Sequence, residues 1–436
     1  SVVLVVLIPS KAAFYRKASL LSQRFTPPWI AAILMALLCS IWLGFFSYKH
    51  VEYANDLWWR FTFSGSAPRF LRATAGAVGV LLVFAFARLL RPSPPKSKTS
   101  PVSDLEEAAR IVMKSPNTLP HLALLGDKSF LFSTSRNAFI MFGVEGRSWV
   151  SLGDPVGPKE EWDELIWRFR ELSDRYGGWT VFYQVGPDSL HPYLDLGLSL
   201  TKLGENARVA LPAFSLEGAS RKGLRQQNHK LEKEGWLLEV LPPEAIPVIL
   251  PNLKKVSDAW LAEKNMREKG FSLGFFDTEY LSRFPVAVVK KEDEIVAFAN
   301  VWEGYGHEEL SLDLMRYHPE TAPRGVMDFL FVQIMLWGKA NGYRWFDLGM
   351  APLAGIENRA LAPLWNRLAT FVTQHGEQFY NFQGLRHYKE KFNPQWQPKY
   401  LASPGGLALP HLLTNLVTLI SVGPRKPAGT IYRGNQ

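Results

Sequence analysis

Asp313 stands in the middle of the alternating apolar run "LSLDLMRY", where a period of two sets it on the face opposite Leu312 and Leu314. A lone carboxylate on a central strand is costly unless it is solvated or paired, and a site supplies both conditions. Arg316 follows three residues later, so on a regular strand the two side chains tend toward opposite faces unless the strand bends or bulges. Beyond the strand, "HPETAPRG" carries two prolines and one glycine before an apolar stretch starting at Val326. Folds that hold phosphate at a helix N-terminus use this strand, loop and helix order, but their loops are normally glycine-rich.

Two basic clusters could meet anions. "SRKGLRQQNHKLEKEG", Ser220 to Gly235, opens on a serine that reads as an N-cap and sets Lys222, Arg225, His229 and Lys233 at helical spacing, with Arg221 and Lys230 alongside. Such a face can neutralise the phosphates of RNA or lipid, and it is equally the pattern of a solvated helix face. "FQGLRHYKEKFNPQWQPKYL", Phe382 to Leu401, interleaves Arg386, Lys389, Lys391 and Lys399 with four aromatics, a mix suited to phosphate contact plus stacking or to plain packing. "GFSLG", Gly270 to Gly274, matches a nucleophile elbow only as a string, because a charged helix end precedes it where a buried strand is required. No Walker or kinase motif is present, so any group donor must arrive already activated.

The elements that must position these residues read as α/β. "EEWDELIWRFRELSDRYGG" places Trp162, Leu165, Ile166, Phe169 and Leu172 on one helical face, and "WTVFYQV" follows as a strand. Later, "FPVAVVKKEDEIVAFANVW" is a hairpin around Glu292 and Asp293, "ELSLDLMRY" a strand, "GVMDFLFVQIMLWGKANGY" a buried core helix and "RWFDLGM" a strand. The grammar repeats, which implies two copies of one α/β unit. The organisation expected is 1–91 transmembrane, 92–101 linker, 102–240 first unit, 241–402 second and catalytic unit, and 403–436 a C-terminal tail.

The membrane reading rests on "PWIAAILMALLCSIWLGFFSY", about twenty uncharged residues, and on the shorter "TAGAVGVLLVFAFARLL". Basic residues outside both spans place the flanks, and all that follows Arg91, in the cytoplasm of a bacterial inner-membrane protein. The opening "SVVLVVLIP" reads as the end of a further span belonging to a longer flippase-type membrane domain. Net charge is +9, which suits an anionic partner without choosing lipid over nucleic acid. With Cys39 as the only cysteine and nine histidines lacking ligand spacing, no disulfide within the chain and no metal site are expected.

"FSLGFFDTEYL", "ELSLDLMRY", "RWFDLGMAPL" and "FQGLRHYKEKFNPQWQPKYL", in this order behind transmembrane segments, resemble the aminoacyl-phosphatidylglycerol synthases of the multiple peptide resistance factor family. The resemblance runs from about residue 105 to 402. It implies tandem acetyltransferase-like (GNAT, Fem-type) domains and transfer of lysine or alanine from aminoacyl-tRNA to phosphatidylglycerol, giving a cationic lipid and resistance to cationic antimicrobial peptides. It implies Asp313, Arg316, Tyr280 and Lys389 as catalytic, and Arg386, Lys391, Ser311, Arg324 and Glu377 as substrate-binding. Arg221, Lys222 and Arg225 are the expected tRNA phosphate contacts. No cofactor is implied, since "RYHPETAPRGVMD" lacks the glycine spacing that cradles coenzyme A and carries His318 and Pro319 instead. Glu357 or Glu377 is the candidate partner of a lysine ammonium. A Fem-like transferase acting on a peptidoglycan precursor, a non-catalytic membrane-tethered RNA- or lipid-binding module, and a homo-oligomer are the other expectations that stay open.

Overall fold

The computed structural model describes Gly79 and residues 102–354 and 380–421. Apart from Gly79, the two spans, the linker, Glu357, Glu377 and the end of the tail lie outside the described residues. Among those described, no helix is long and apolar enough to cross a membrane.

The first half runs α1 (Val102–Val112), β1 (Ser129–Phe132), β2 (Phe139–Glu145), β3 (Ser148–Leu152), α2 (Trp162–Arg175), β4 (Trp179–Val185), α3 (His191–Asp195) and β5 (Ser199–Ala210). The second runs α4 (Lys222–Lys233), β6 (Leu237–Leu241), α5 (Ile246–Glu263), α6 (Thr278–Leu281), β7 (Val286–Lys291), β8 (Glu294–Glu303), β9 (Glu309–Tyr317), α7 (Val326–Ala340), β10 (Trp345–Pro352), α8 (Tyr380–Glu390), β11 (Gln395–Ser403) and α9 (Leu409–Ser421). The eleven strands of the described residues form one sheet in the order β1-β2-β3-β4-β11-β5-β10-β9-β8-β7-β6.

The repeat is visible in the pairing. In each half an antiparallel hairpin (β2-β3 or β8-β9) leads through a helix (α2 or α7) to a strand parallel to its second member (β4 or β10). The next strand in sequence then leaves its own half. β5 lies antiparallel to both β10 and β11, and β11 returns to lie between β4 and β5.

Burial on both faces explains the near-continuous apolar runs of β7 and β8. On one face Phe329, Leu330, Ile334 and Met335 of α7 pack with Ala287, Val289 and Val301; on the other, Leu253 and Val256 of α5 pack with Val286, Phe298 and Leu314. In the first half α9 packs on β2 and β3 through Leu412 and Leu416, and Asn415 donates to Ser148 Oγ at 2.9 Å. The segment 409–421 is therefore a docked amphipathic helix within the expected tail.

Candidate active site

β9 carries an irregularity at the carboxylate. Met315 pairs with Ala299 and Leu312 with Val301, so Asp313 and Leu314 together oppose Asn300 alone. The extra residue is a bulge on β9, which reverses the alternation of faces. Leu310 and Leu312 pack toward α7 and so do Met315 and Tyr317, whereas Leu314 and Arg316 lie toward α5. Fully buried Asn300 fills the step, its Oδ1 accepting from the Leu314 N–H at 2.7 Å.

The bulge thereby puts Asp313 and Arg316 on one face, yet each engages a different part of the segment between α5 and α6. Asp313 Oδ1 accepts from the Gly274 N–H at 2.9 Å, and Oδ2 accepts from the Tyr280 hydroxyl at 2.9 Å. Trp302 Nε1 donates to that hydroxyl at 3.0 Å. Arg316, 4% exposed, donates to Ser257 Oγ at 3.0 Å and to Glu268 at 2.7 Å, with its guanidinium 4.7 Å from the Trp260 ring centre. Every strong contact of Arg316 is thus to the scaffold. It anchors the loop that supplies Gly274, and no ion pair joins it to Asp313 among the described residues.

Burial pushes the Asp313 carboxyl up to about 6, against the opposing pull of Tyr280, the Gly274 amide and Lys128. A carboxylate titrating there is ionised at neutral pH yet basic enough to accept a proton. Burial and the adjacent Asp313 charge hold Tyr280 well above the usual phenol range, so its hydroxyl acts as a donor.

A second polar group lies where β9 and β10 part. Their parallel pairing ends at Ser311 and Asp347. Ser311 Oγ donates to the Asp347 carbonyl at 2.8 Å, Asn206 donates to the Asp347 carboxylate at 2.8 Å, and the Gly349 N–H does so at 2.6 Å. Lys389 reaches the irregular stretch of β10 after Asp347 from α8 and donates to the carbonyls of Gly349 and Met350 at 2.9 and 3.0 Å. Burial draws its ammonium down to about 8, with Asp347 opposing. In the sequence Asp347 and Gly349 are marked only as members of the strand and motif "RWFDLGMAPL", and Asn206 carries no signal.

The other expected cations are placed less freely than their spacing suggests. Arg386 pairs with Glu205 at 2.8 Å and Glu390 at 3.1 Å over the Trp396 ring, and Lys391 pairs with Asp328 at 3.2 Å over Tyr388. Asp328 occupies the first turn of α7, so the positive end of that helix already faces a carboxylate of its own. Arg324 is exposed beside it, and its carbonyl accepts from Gln227 at 2.6 Å. In α4 the N-cap is Arg221, without a side-chain cap, so Ser220 does not take that role. Arg221 donates to the Phe392 carbonyl at 3.1 Å and stacks on Phe214, while Arg225 donates to the carbonyls of Leu216 and Gly218. Of the three expected tRNA contacts, Lys222 alone stands exposed without such a bond.

Asp154 is the first half's counterpart of Asp313. It lies two residues beyond Leu152, the last parallel partner of β4, as Asp313 lies two beyond Ser311. It too accepts from a glycine N–H, Gly186 at 2.9 Å, and from a tyrosine hydroxyl, Tyr193 at 2.7 Å.

The duplicated unit and its exchanged strands define a mixed α/β protein in which two copies of one unit share a single sheet. The family model "Phosphatidylglycerol lysyltransferase, C-terminal" matches residues 109–403, and the chain belongs to that family. It is 42% identical over 311 residues to a phosphatidylglycerol lysyltransferase of Bacillus subtilis, an alignment that covers 70% of this chain. The chain spans 36% of the length of that relative. A crystal structure of the C-terminal domain of a putative lysylphosphatidylglycerol synthetase from Agrobacterium fabrum superposes with a TM-score of 0.69 at 43% identity, covering 75% of this chain and 99% of that one. The structure of L-PGS from Bacillus licheniformis does so with a TM-score of 0.65 at 39% identity, covering 76% and 99%.

Proposed function

We propose that this chain transfers an aminoacyl group from aminoacyl-tRNA to a glycerol hydroxyl of phosphatidylglycerol at the cytoplasmic leaflet of a bacterial inner membrane, yielding a more cationic lipid that resists cationic antimicrobial peptides. Lysine is the group favoured, because the similar proteins are named lysyltransferases. The observation that carries the reading is Asp313, a partly buried carboxylate held at both oxygens and tuned to about 6 at the bulge of β9.

In the reaction the lipid hydroxyl oxygen attacks the ester carbonyl while its proton passes to Asp313. The tetrahedral oxyanion collapses, a new ester forms, and the tRNA ribose oxygen leaves, taking a proton back. Lys389, held where β9 and β10 part, is the candidate cation for the oxyanion, and proton return to the leaving oxygen regenerates the ionised Asp313. The donor ester is already activated, so no cofactor is required.

The test incubates the full chain, in bilayers containing phosphatidylglycerol, with lysyl- or alanyl-tRNA and looks for a new cationic lipid by mass. Asp313→Asn, nearly isosteric but unable to take a proton, is expected to lose about a hundredfold or more of the rate, the scale of general acid–base groups. Asp154→Asn, at the corresponding place in the first half, should stay within a few-fold of the wild type. Absence of product with both tRNAs, or full activity of Asp313→Asn, would refute the assignment.

A further inference from the structure

We propose that Trp302 is a positioning residue for the transfer, acting through Tyr280 on the Asp313 carboxylate. The inference rests on the reading of Asp313 as the proton acceptor. An indole N–H can only donate, so the direction of the chain is fixed: Trp302 Nε1–H to the Tyr280 oxygen at 3.0 Å, and the Tyr280 O–H to Asp313 Oδ2 at 2.9 Å. A hydroxyl that accepts a hydrogen bond becomes a better donor, because each bond in such a chain polarises the next. Trp302 thus strengthens the bond that stabilises the charged form of Asp313 without touching it.

The surroundings hold this geometry. Trp302 is 5% exposed and pairs across β8 and β9 with Ser311, two residues from the carboxylate. The His121 ring stacks on it at 5.9 Å between centroids with 16° between planes. His121 Nδ1 lies 2.8 Å from the Thr118 carbonyl, which can only accept, so Nδ1 carries the proton. Burial lowers that imidazole to about 4, and it is neutral at working pH. The charged groups that face Asp313 from the connection into β1 are Lys128 and Asp127, which act with opposite sign; Tyr280 faces it from α6, and Arg316 lies three residues on along β9. None of these changes when the indole N–H is removed.

Trp302→Phe keeps a ring for His121 and deletes the donor. The acid limb of the rate against pH should move upward by a few tenths of a unit, with thermal midpoint and tRNA binding little changed. Tyr280→Phe should move it by about one unit or more, since it removes a hydrogen bond made directly to the charged carboxylate. The discriminating variant is the double replacement. If Trp302 acts through Tyr280, adding Trp302→Phe to Tyr280→Phe shifts the limb no further. Infrared titration of the Asp313 carboxyl band, identified by its loss in Asp313→Asn, gives the same comparison without turnover, so it stands even if no transfer is found. An unmoved midpoint in Trp302→Phe, or an equal shift in both backgrounds, overturns the proposal.

Discussion

Gly274 decides where the carboxylate sits. A Cβ at this position would lie 1.7 Å from Asp313 Oδ2, and the nearest three atoms it would meet all belong to that carboxylate. Its φ is not in the left-handed region, so the requirement is one of space and of the N–H that Asp313 uses. Gly274→Ala should therefore push the carboxylate away and lose transfer nearly as fully as Asp313→Asn, while circular dichroism shows the same secondary structure. Retained activity would show that the amide contact is dispensable. The linkage of Asp313 to stability has a definite sign. Its folded pKa is raised from 3.8 to about 6, so over that window the native state binds more protons than the unfolded chain, and stability falls as pH rises. Asp313→Asn should thus gain stability relative to the wild type between pH 4 and 6, by up to about 3 kcal/mol, on top of any constant offset from its altered hydrogen bonds. Urea unfolding across that range measures it; a difference that does not vary with pH would mean the carboxyl titrates normally.

The strand and helix that bracket this residue were legible in the sequence because their patterns are local. The alternation in "ELSLDLMRY" marks β9 to its ends, and the largely apolar run of about a dozen residues after Gly325, interrupted by Asp328 and Gln333, marks α7 as core. The bulge was not legible: one unpaired residue leaves no trace in composition, although the spacing of Asp313 and Arg316 made sense on one face only if the strand was irregular there. Tyr280 came through family resemblance alone, and the "GFSLG" string, read only as a poor hydrolase motif, holds the amide that binds Asp313. The basic helix α4 shows what spacing leaves out, since charge spacing cannot tell a free guanidinium from one already bonded to carbonyls. Arg225→Gln removes the bonds to Leu216 and Gly218 that hold the loop before α4, and should cost about 1–3 kcal/mol of stability. Lys222→Gln should leave stability within about 0.5 kcal/mol of the wild type, and is the cleaner probe of tRNA contact through the salt dependence of binding. An Arg225→Gln protein as stable as wild type would return that arginine to the list of solvated cations.

At the scale of the whole molecule, the repeat predicted two units, while the pairing ties them into one sheet. The strand that follows β4 in sequence serves β10, and the strand that follows β10 serves β4; hydrophobic periodicity carries no information about such long-range partners. β11 pairs with β5 from Gln395 to Ser403 and with β4 through Tyr400, Leu401 and Ala402, so it sits in the middle of the sheet although it is near the end of the chain. This placement also lets α8, which leads into β11, bring Lys389 to the irregular stretch of β10 after Asp347. A chain cut before Gln395 would expose the edges of β4 and β5 together, and unpaired central edges invite aggregation. We therefore expect that truncation to abolish soluble expression of the region from Val102 onward, whereas removal of the edge strand β6 by charge substitution at Leu238 and Val240 should lower stability without preventing folding. A segment from about residue 395 supplied in trans should restore the truncated protein if β11 needs only its neighbours to pair. Soluble, active protein without β11 would show instead that the edges of β4 and β5 are covered without it.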